Sequence, residues 1–313
     1  DYGTTGLIDT PTARMQSDGA FSTIAAFDGR HRQFAITYQA TPWLEGTFRY
    51  SGWYDQSIYT WDRNYEFKAR LWEEELYLPA VAVGIRDLVG TGVFGSEYIV
   101  ATKAVGRTDI SLGMGWGRLA GKGDISNPAK LVSERFDVRD AATGLGGELS
   151  IGNFFSGPEV GLFGGVSHTF EGLPLTAVAE FNPDQYDFDA SRGGLRPKSP
   201  LSVGLTWDAL PGVAVTASYQ HQEEFGLAFR FFLDSSAEPP RRPANEFISS
   251  YYLSQADLPP QINKNRWYDR LLFDVERSGL FLVEGTISED GQQAQLVVGN
   301  GSYPLWSDAI GRL

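Results

Sequence analysis

The feature that most constrains this chain is a strict two-residue alternation, clearest in Glu224-Phe225-Gly226-Leu227-Ala228-Phe229-Arg230-Phe231. Phe225, Leu227, Phe229 and Phe231 share one parity, while Glu224, Gly226, Ala228 and Arg230 share the other. Successive side chains of a strand point to opposite faces, so this stretch has one apolar face and one polar or small face. A single strand of this kind also suits a soluble sandwich. Recurrence of the pattern, and the way its copies are joined, separates the two folds.

The pattern recurs along most of the first 232 residues. Arg32, Phe34, Ile36, Tyr38 and Ala40 alternate with Gln33, Ala35, Thr37 and Gln39, and after a Thr41-Pro42 turn Leu44, Gly46, Phe48 and Tyr50 alternate with Glu45, Thr47, Arg49 and Ser51. Tyr65, Phe67, Ala69 and Leu71 then oppose Asn64, Glu66, Lys68 and Arg70, and three further runs centre on Leu112, Leu205 and Val215. So many amphipathic strands of spanning length, with aromatic residues at their ends, favour a band facing lipid over faces hidden by a second sheet. The 224–231 stretch also resembles the closing-strand signal of bacterial outer-membrane barrels. The expectation is an all-β fold: a transmembrane antiparallel β-barrel of about 12 strands. Phe48, Phe67, Leu112, Leu205, Val215 and Phe229 would face the lipid.

Composition is consistent with this. There is no apolar run long enough for a membrane-crossing helix, and a mean hydropathy of -0.24 is no obstacle, because a barrel shows lipid only alternate residues. The absence of cysteine excludes a disulfide scaffold and thiolate chemistry. A net charge of -13 with no basic stripe argues against nucleic acid as a partner. No basic, hydrophobic leader precedes Asp1, so for an exported protein the signal peptide is expected to be missing from this numbering.

Four segments are expected. Residues 1–18, rich in Gly, Thr and Pro, read as a periplasmic lead-in, and residues 19–232 as the barrel. Residues 233–245 read as a Pro-rich linker, and 246–313 as a small periplasmic α/β module with helical spacing at Trp267, Leu271, Leu272 and Val275. Connections fall into a short set (41–42, 72–78, 105–107, 169–173, 208–211) and a longer set (52–62, 88–95, 118–157, 183–199), with tight links at 28–30 and 221–224 on the longer side. A separate spanning strand at Gly146–Ile151 would put the long loop 183–199 on the short-turn side, so 118–157 is expected to be one external excursion; this leaves an even strand count and both barrel termini in the periplasm. The last stretch, Trp306–Leu313, stops in mid-helix without a cap, so the natural polypeptide is expected to continue.

Several segments in order resemble the YjbH family of outer-membrane proteins. They are Gly6-Leu7-Ile8-Asp9-Thr10-Pro11-Thr12-Ala13-Arg14-Met15, Thr41-Pro42-Trp43-Leu44-Glu45-Gly46-Thr47-Phe48-Arg49-Tyr50, the run from Asp87 to Lys103, Gly115-Trp116-Gly117-Arg118-Leu119 and Ala309-Ile310-Gly311-Arg312. The resemblance covers essentially the whole chain. It implies an outer-membrane role in exopolysaccharide or capsule production, encoded beside other secretion-linked genes. It also implies a longer polypeptide, roughly twice this length, with a second barrel after the α/β domain.

The candidate functional residues form two groups. Trp53, Tyr54, Tyr59 and Trp61 cluster in the expected loop 52–62; they are either an interfacial aromatic belt, favoured for Trp53 and Trp61, or rings on which sugars stack. Glu45, Arg49, Glu66, Lys68, Arg70, Arg86, Glu97, Lys103, Asp109, Glu180 and Arg230 are expected on the lumen face, either pairing to fill it or lining a polar path for a glycan. The filled interior is slightly favoured. Gly90-x-Gly92-x-x-Gly95 has the form of a dinucleotide fingerprint but leads into a strand, not a helix, and reads as a strand connection. Glu73-Glu74-Glu75 reads as a solvated turn, and His31, His168 and His221 lack metal-ligand spacing. No cofactor, metal or catalytic residue is expected. The expected partners are outer-membrane lipid, polysaccharide and periplasmic secretion proteins. The expected function is non-catalytic polysaccharide export or assembly, the alternatives being an outer-membrane enzyme acting on polymer or lipid, or a scaffold for periplasmic partners.

Overall fold

The computed structural model describes residues 2, 5–29, 31–55, 58–121, 123, 125–140, 151–191, 196–234, 267–277, 279–288, 290, 293–300 and 306–310. The chain divides into two compact units, residues 1–237 and 238–313. Apart from Leu233 and Asp234, the expected linker and the stretch 246–266 lie outside the described residues.

The first unit begins with β1 (Phe21–Phe27), β2 (His31–Thr41), β3 (Leu44–Asp55), β4 (Ile58–Trp72), β5 (Ala80–Arg86), β6 (Ser96–Val105) and β7 (Thr108–Gly115). A long excursion follows, carrying the two-residue β8 (Ile125–Ser126), and then β9 (Glu159–Thr169), β10 (Leu175–Phe181), β11 (Leu201–Leu210), β12 (Val213–Gln220) and β13 (Glu224–Leu233). Neighbours in sequence pair antiparallel, β7 pairs with β9 across the excursion, and β13 returns onto β1 with Phe229 opposite Ala25. This closes a barrel of twelve antiparallel strands, with β8 attached to the end of β9 outside the ring. Closure leaves no strand edge with unpaired backbone groups, which is what permits a sheet to have hydrocarbon around it. Among the described residues no helix is long and apolar enough to cross a membrane.

Exposure follows the alternation with the polarity of a soluble protein reversed. On β3 the buried residues are Glu45, Thr47, Arg49 and Ser51, and on β4 they are Asp62, Asn64, Glu66 and Lys68. The outward residues Phe67, Leu112, Leu205 and Trp207 are 44%, 64%, 44% and 51% exposed. Phe48, Val215 and Phe229 share that outward parity and are half-buried by their neighbours, Phe48 lying 5.2 Å from the Tyr65 ring. Aromatic residues ring both ends of the band, with Trp43, Trp72, Trp207 and Phe231 toward the short turns, and Phe27, Phe34, Trp61 and Phe225 toward the long loops.

One connection differs from expectation. The expected external loop 52–62 is mostly paired strand, with Trp53 opposite Thr60 and Tyr54 opposite Tyr59. Aromatic residues in alternation prolong a hairpin as readily as they decorate a loop. The loop 87–95 leads from β5 directly into β6, so its glycines join strands, and β7 pairs directly with β9, while residues 146–150 of the alternative strand lie outside the described residues.

A short helix, α1 (Asp187–Ser191), lies between β10 and β11; in the second unit, α2 (Trp267–Arg277) precedes a hairpin of β14 (Leu280–Ile287) and β15 (Ala294–Asn300), followed by α3 (Trp306–Ile310). Val275, Leu280 and Ala309 form its small core, flanked by Leu271, Leu282 and Val298.

Candidate functional site in the barrel interior

Residues 5–16, expected as a lead-in outside the barrel, run through its interior. The segment has no alternation because it is not a strand, and its backbone polar groups are met by the wall. Glu180 of β10 accepts the N–H groups of Ile8, Asp9 and Thr10 at 3.0 Å and the Thr10 hydroxyl at 2.8 Å. The Ala13 N–H donates to Thr102 (2.9 Å), and Arg86 donates to the Asp9 carbonyl (3.0 Å). Lys68 donates to the Arg14 carbonyl (2.8 Å) and also contacts the Thr5 hydroxyl. A buried loop survives only when its backbone groups find such partners.

Around this plug the lumen charges pair. Arg49 meets Glu66 at 2.5 Å and Asn64 at 2.9 Å, Arg86 lies 3.8 Å from the same Glu66, and Lys68 lies 3.4 Å from Glu45. The Tyr2 ring is held between the Arg49 and Arg86 guanidinium groups, 4.0 and 4.1 Å from its centroid, a cation–π arrangement. At the short-turn rim Arg14 bridges Asp109 (2.6 Å) and Glu74 (2.6 Å), while Arg70 pairs with Glu73. Hydrogen bonds from Lys103 and the Ala104 N–H, with Arg14 beside them, hold the Glu74 carboxyl down at about 2. Glu74 therefore latches the plug to a turn that reads as merely solvated in the sequence.

Two of the expected lumen residues face the other way. Thr102 and Tyr98 point inward on β6, so Glu97 and Lys103 fall on the outward parity with Ile99. Lys103 turns to Glu74 at the rim (2.9 Å), and Glu97 is covered by Arg139 of the excursion (2.7 Å). Both parities of β6 are largely apolar, because its inner face packs in a cluster of Ala13, Ala80, Ala82, Tyr98, Val100, Leu119 and Phe163. The Tyr98 and Phe163 rings lie directly over Gly84 and Gly113, where any Cβ would collide.

A second network joins the long loops to the plug. Arg118 bonds Asp184 (2.7 Å) and Asp189 (2.8 Å), the latter in the short helix α1 (Asp187–Ser191). Burial would raise the Asp189 carboxyl, but Arg118 and His31 reverse the effect and hold it at about 2. Tyr186 donates to Asp9 of the plug (3.0 Å) and lies 3.1 Å from His221 Nε2, with Asp9 3.6 Å from the same nitrogen. Tyr186 and His221 are non-glycine residues at φ 51 and φ 56, a left-handed conformation kept where surroundings enforce it. All three side chains are buried, and burial pushes the Tyr186 phenol well above its ordinary value. Asp28, His31 and Glu224 bring potential metal-ligand atoms within 4.8 Å of one another, a grouping that the histidine spacing could not show. Both ring nitrogens of His31 already have carboxylate partners, Asp28 at 3.1 Å and Asp189 at 3.2 Å.

Of the aromatic candidates, Trp61 lies on the outer face, stacked 4.7 Å from Tyr50 and 6.1 Å from Phe34. This is a belt position. For Trp53, Tyr54 and Tyr59 the backbone is described as strand, and their side chains lie outside the described set. Arg230 points inward beside a cavity near the short turns.

A family model described as "Exopolysaccharide biosynthesis protein YbjH" matches residues 1–313. Over 235 residues, 72% of this chain, the sequence is 37% identical to the "Uncharacterized lipoprotein YjbH" of Escherichia coli (strain K12). The matched region spans about a third (33%) of that relative's length. Among solved structures, the KdgM porin matches 69% of this chain and 98% of its own, with a TM-score of 0.37 and 9% identity. The NanC porin matches 67% of this chain and 97% of its own, with a TM-score of 0.36 and 9% identity. At these TM-scores the likeness adds nothing to the barrel assignment, which rests on the strand pairings of this chain.

Proposed function

This chain belongs to the YjbH family of exopolysaccharide biosynthesis proteins, and from that premise we propose that it is a non-catalytic outer-membrane component of polysaccharide export or assembly. The observation that carries this reading is the reversed barrel: an apolar, aromatic-ringed outside around an interior filled with paired charges and a plug. The short turns and the second unit face the periplasm, where that unit meets secretion partners, and the long loops face outward toward polymer. An interior held by Glu66, Glu180 and Glu74 serves structure first. Among the described residues the Asp9–Tyr186–His221 cluster most resembles catalytic machinery, but all three side chains are buried and offer a polymer no access in this arrangement.

The test compares polymer amount with polymer composition in cells. Loss of the protein is expected to lower the amount of exported polymer and leave its composition unchanged. An enzyme would instead give normal export of chemically altered polymer, and His221→Gln would reproduce that change; this outcome would overturn the proposal. The aromatic hairpin tip is a finer part of the same reading. Tyr54→Ala with Tyr59→Ala is expected to weaken glycan contact by about 1 kcal/mol per ring with the barrel still folded. Unchanged glycan binding in that double variant would remove sugar contact from the hairpin.

A further inference from the structure

Arg230 stands apart from the other inward cations. Arg49, Lys68, Arg70 and Arg86 of the wall, and Arg14 of the plug, each have a carboxylate partner. Arg230 has no hydrogen bond or ion pair among the described residues, and the register explains why. Its neighbours across the sheet are Ile24 on β1 and Ala214 on β12, neither of which carries an acceptor. Its guanidinium instead borders a cavity of about 570 Å³ near the short turns, lined also by Thr5, Gln16, Ser22, Thr206 and Asp208. Clefts of about 300–1,000 Å³ are the usual size for small-ligand sites. The cavity holds a second unmet group: Gln16 bonds Ser22 through Nε2 (2.7 Å), while its Oε1 is buried without a partner. Whichever way that amide is turned, one of its two polar atoms is left without a protein partner. Glu45 and Asp208 act on Arg230 only through space, with no hydrogen bond or ion pair to it: Glu45 is held by Thr5 (2.6 Å) and Lys68 (3.4 Å), and Asp208 lies two strands away on β11, at an exposed position opposite Ala214.

We propose that this cavity binds an acidic sugar, Arg230 taking the carboxylate and Gln16, Ser22 and Thr206 the hydroxyl groups. A planar guanidinium with all its donors unused is matched to a carboxylate by two parallel N–H···O bonds, and the lining of amide and hydroxyl groups is matched to a pyranose rim. The inference rests on the polysaccharide reading and adds to it a substrate class, a polymer containing uronic acid, and a place near the short turns where that polymer is held.

The test is calorimetric titration of the full chain in detergent with three probes: a tetrasaccharide of glucuronic acid, its neutral glucose counterpart and inorganic phosphate. The acidic tetrasaccharide is expected to bind about tenfold more tightly than the neutral one, as one charge-assisted pair provides. Arg230→Gln should bring both to the same affinity, with Arg230→Lys intermediate. Asp208→Asn keeps Arg230 and removes the nearby negative charge; it should tighten acidic binding alone, so the proposal remains testable if Arg230→Gln does not fold. Equal affinity for the two sugars, no binding to the folded wild type, or unchanged binding in Arg230→Gln would each overturn the site. Phosphate binding as tightly as the acidic sugar would overturn the sugar assignment. These measurements use purified protein, so they stand apart from the pathway: normal polymer output without the protein would refute the export reading and leave the site in place.

Discussion

Two walls of this barrel face the same lumen and treat charge in opposite ways. The wall of β3, β4 and β5 presents Glu45, Arg49, Glu66, Lys68 and Arg86, all buried and all paired, with the plug pressed against them. The wall of β11, β12, β13 and β1 presents Ala214, Thr216, Ile24 and a single cation, Arg230, beside an open cavity whose lining also holds the exposed Asp208. The outer faces of the two walls are alike. The contrast shows that an inward charge is not by itself a sign of a passage: where cross-strand neighbours complement it, a charge fills the lumen, and where they cannot, it stays without a partner in the wall.

The sharpest way to break the contrast is to remove one inward charge from each wall. Glu66→Leu leaves Arg49 and Arg86 without a shared carboxylate, and stripping a partner from buried charges costs about 3–5 kcal/mol. The midpoint of urea unfolding, followed by the mobility of unheated barrel on gels, should fall accordingly. Arg230→Leu on the other wall should leave that midpoint near the wild-type value, because no pair is lost. Equal effects would erase the distinction.

A smaller effect, common to both walls, is expected on the outside. Phe67→Arg and Leu205→Arg each place a cation in the apolar band and should destabilise the inserted barrel by about 2–4 kcal/mol toward the midplane and less near its edges. Refolding equilibria in lipid vesicles would measure it. Insertion unaffected by either substitution would mean that these faces do not meet lipid.

The mildest test is acid on the plug latch. Because the Glu74 carboxyl is held at about 2, below its ordinary 4.5, its contribution is present in full above the ordinary value and is lost as pH falls through about 2. Pepsin should therefore spare residues 5–16 at pH 4 and cut there more readily at pH 2, while Glu74→Gln should already be cut at pH 4. Equal protection of both proteins at pH 4 would show that Glu74 does not hold the plug.

Much of the barrel was legible in the sequence, residue by residue. The parity of 44–51 and 64–71 gave the inward and outward faces of β3 and β4, and the parity of 224–231 gave the strand that closes onto β1. The side on which the long loop 183–199 must fall placed 118–157 in one excursion. Legibility stopped where a strand is apolar on both faces, so Glu97 and Lys103 were read as lumenal when β6 turns them outward. It also stopped at Glu73-Glu74-Glu75, whose composition is that of any exposed acidic turn.

Alternation is local: each residue's face is set by its neighbour, so wherever only one face is apolar the sequence alone determined strand, face and the reversed polarity of the barrel. What fills the lumen was decided only by closure. Glu180 meets Ile8 across 172 positions of chain, Arg14 meets Asp109 across 95 and Tyr186 meets Asp9 across 177. No periodic signal marks such partners, because they become neighbours only when the ring has formed and residues 5–16 lie inside it. Arg230 follows the same rule in reverse. Its parity was readable, but that Ile24 and Ala214 would flank it and leave it unpaired depended on the register in which β13 met β1 and β12.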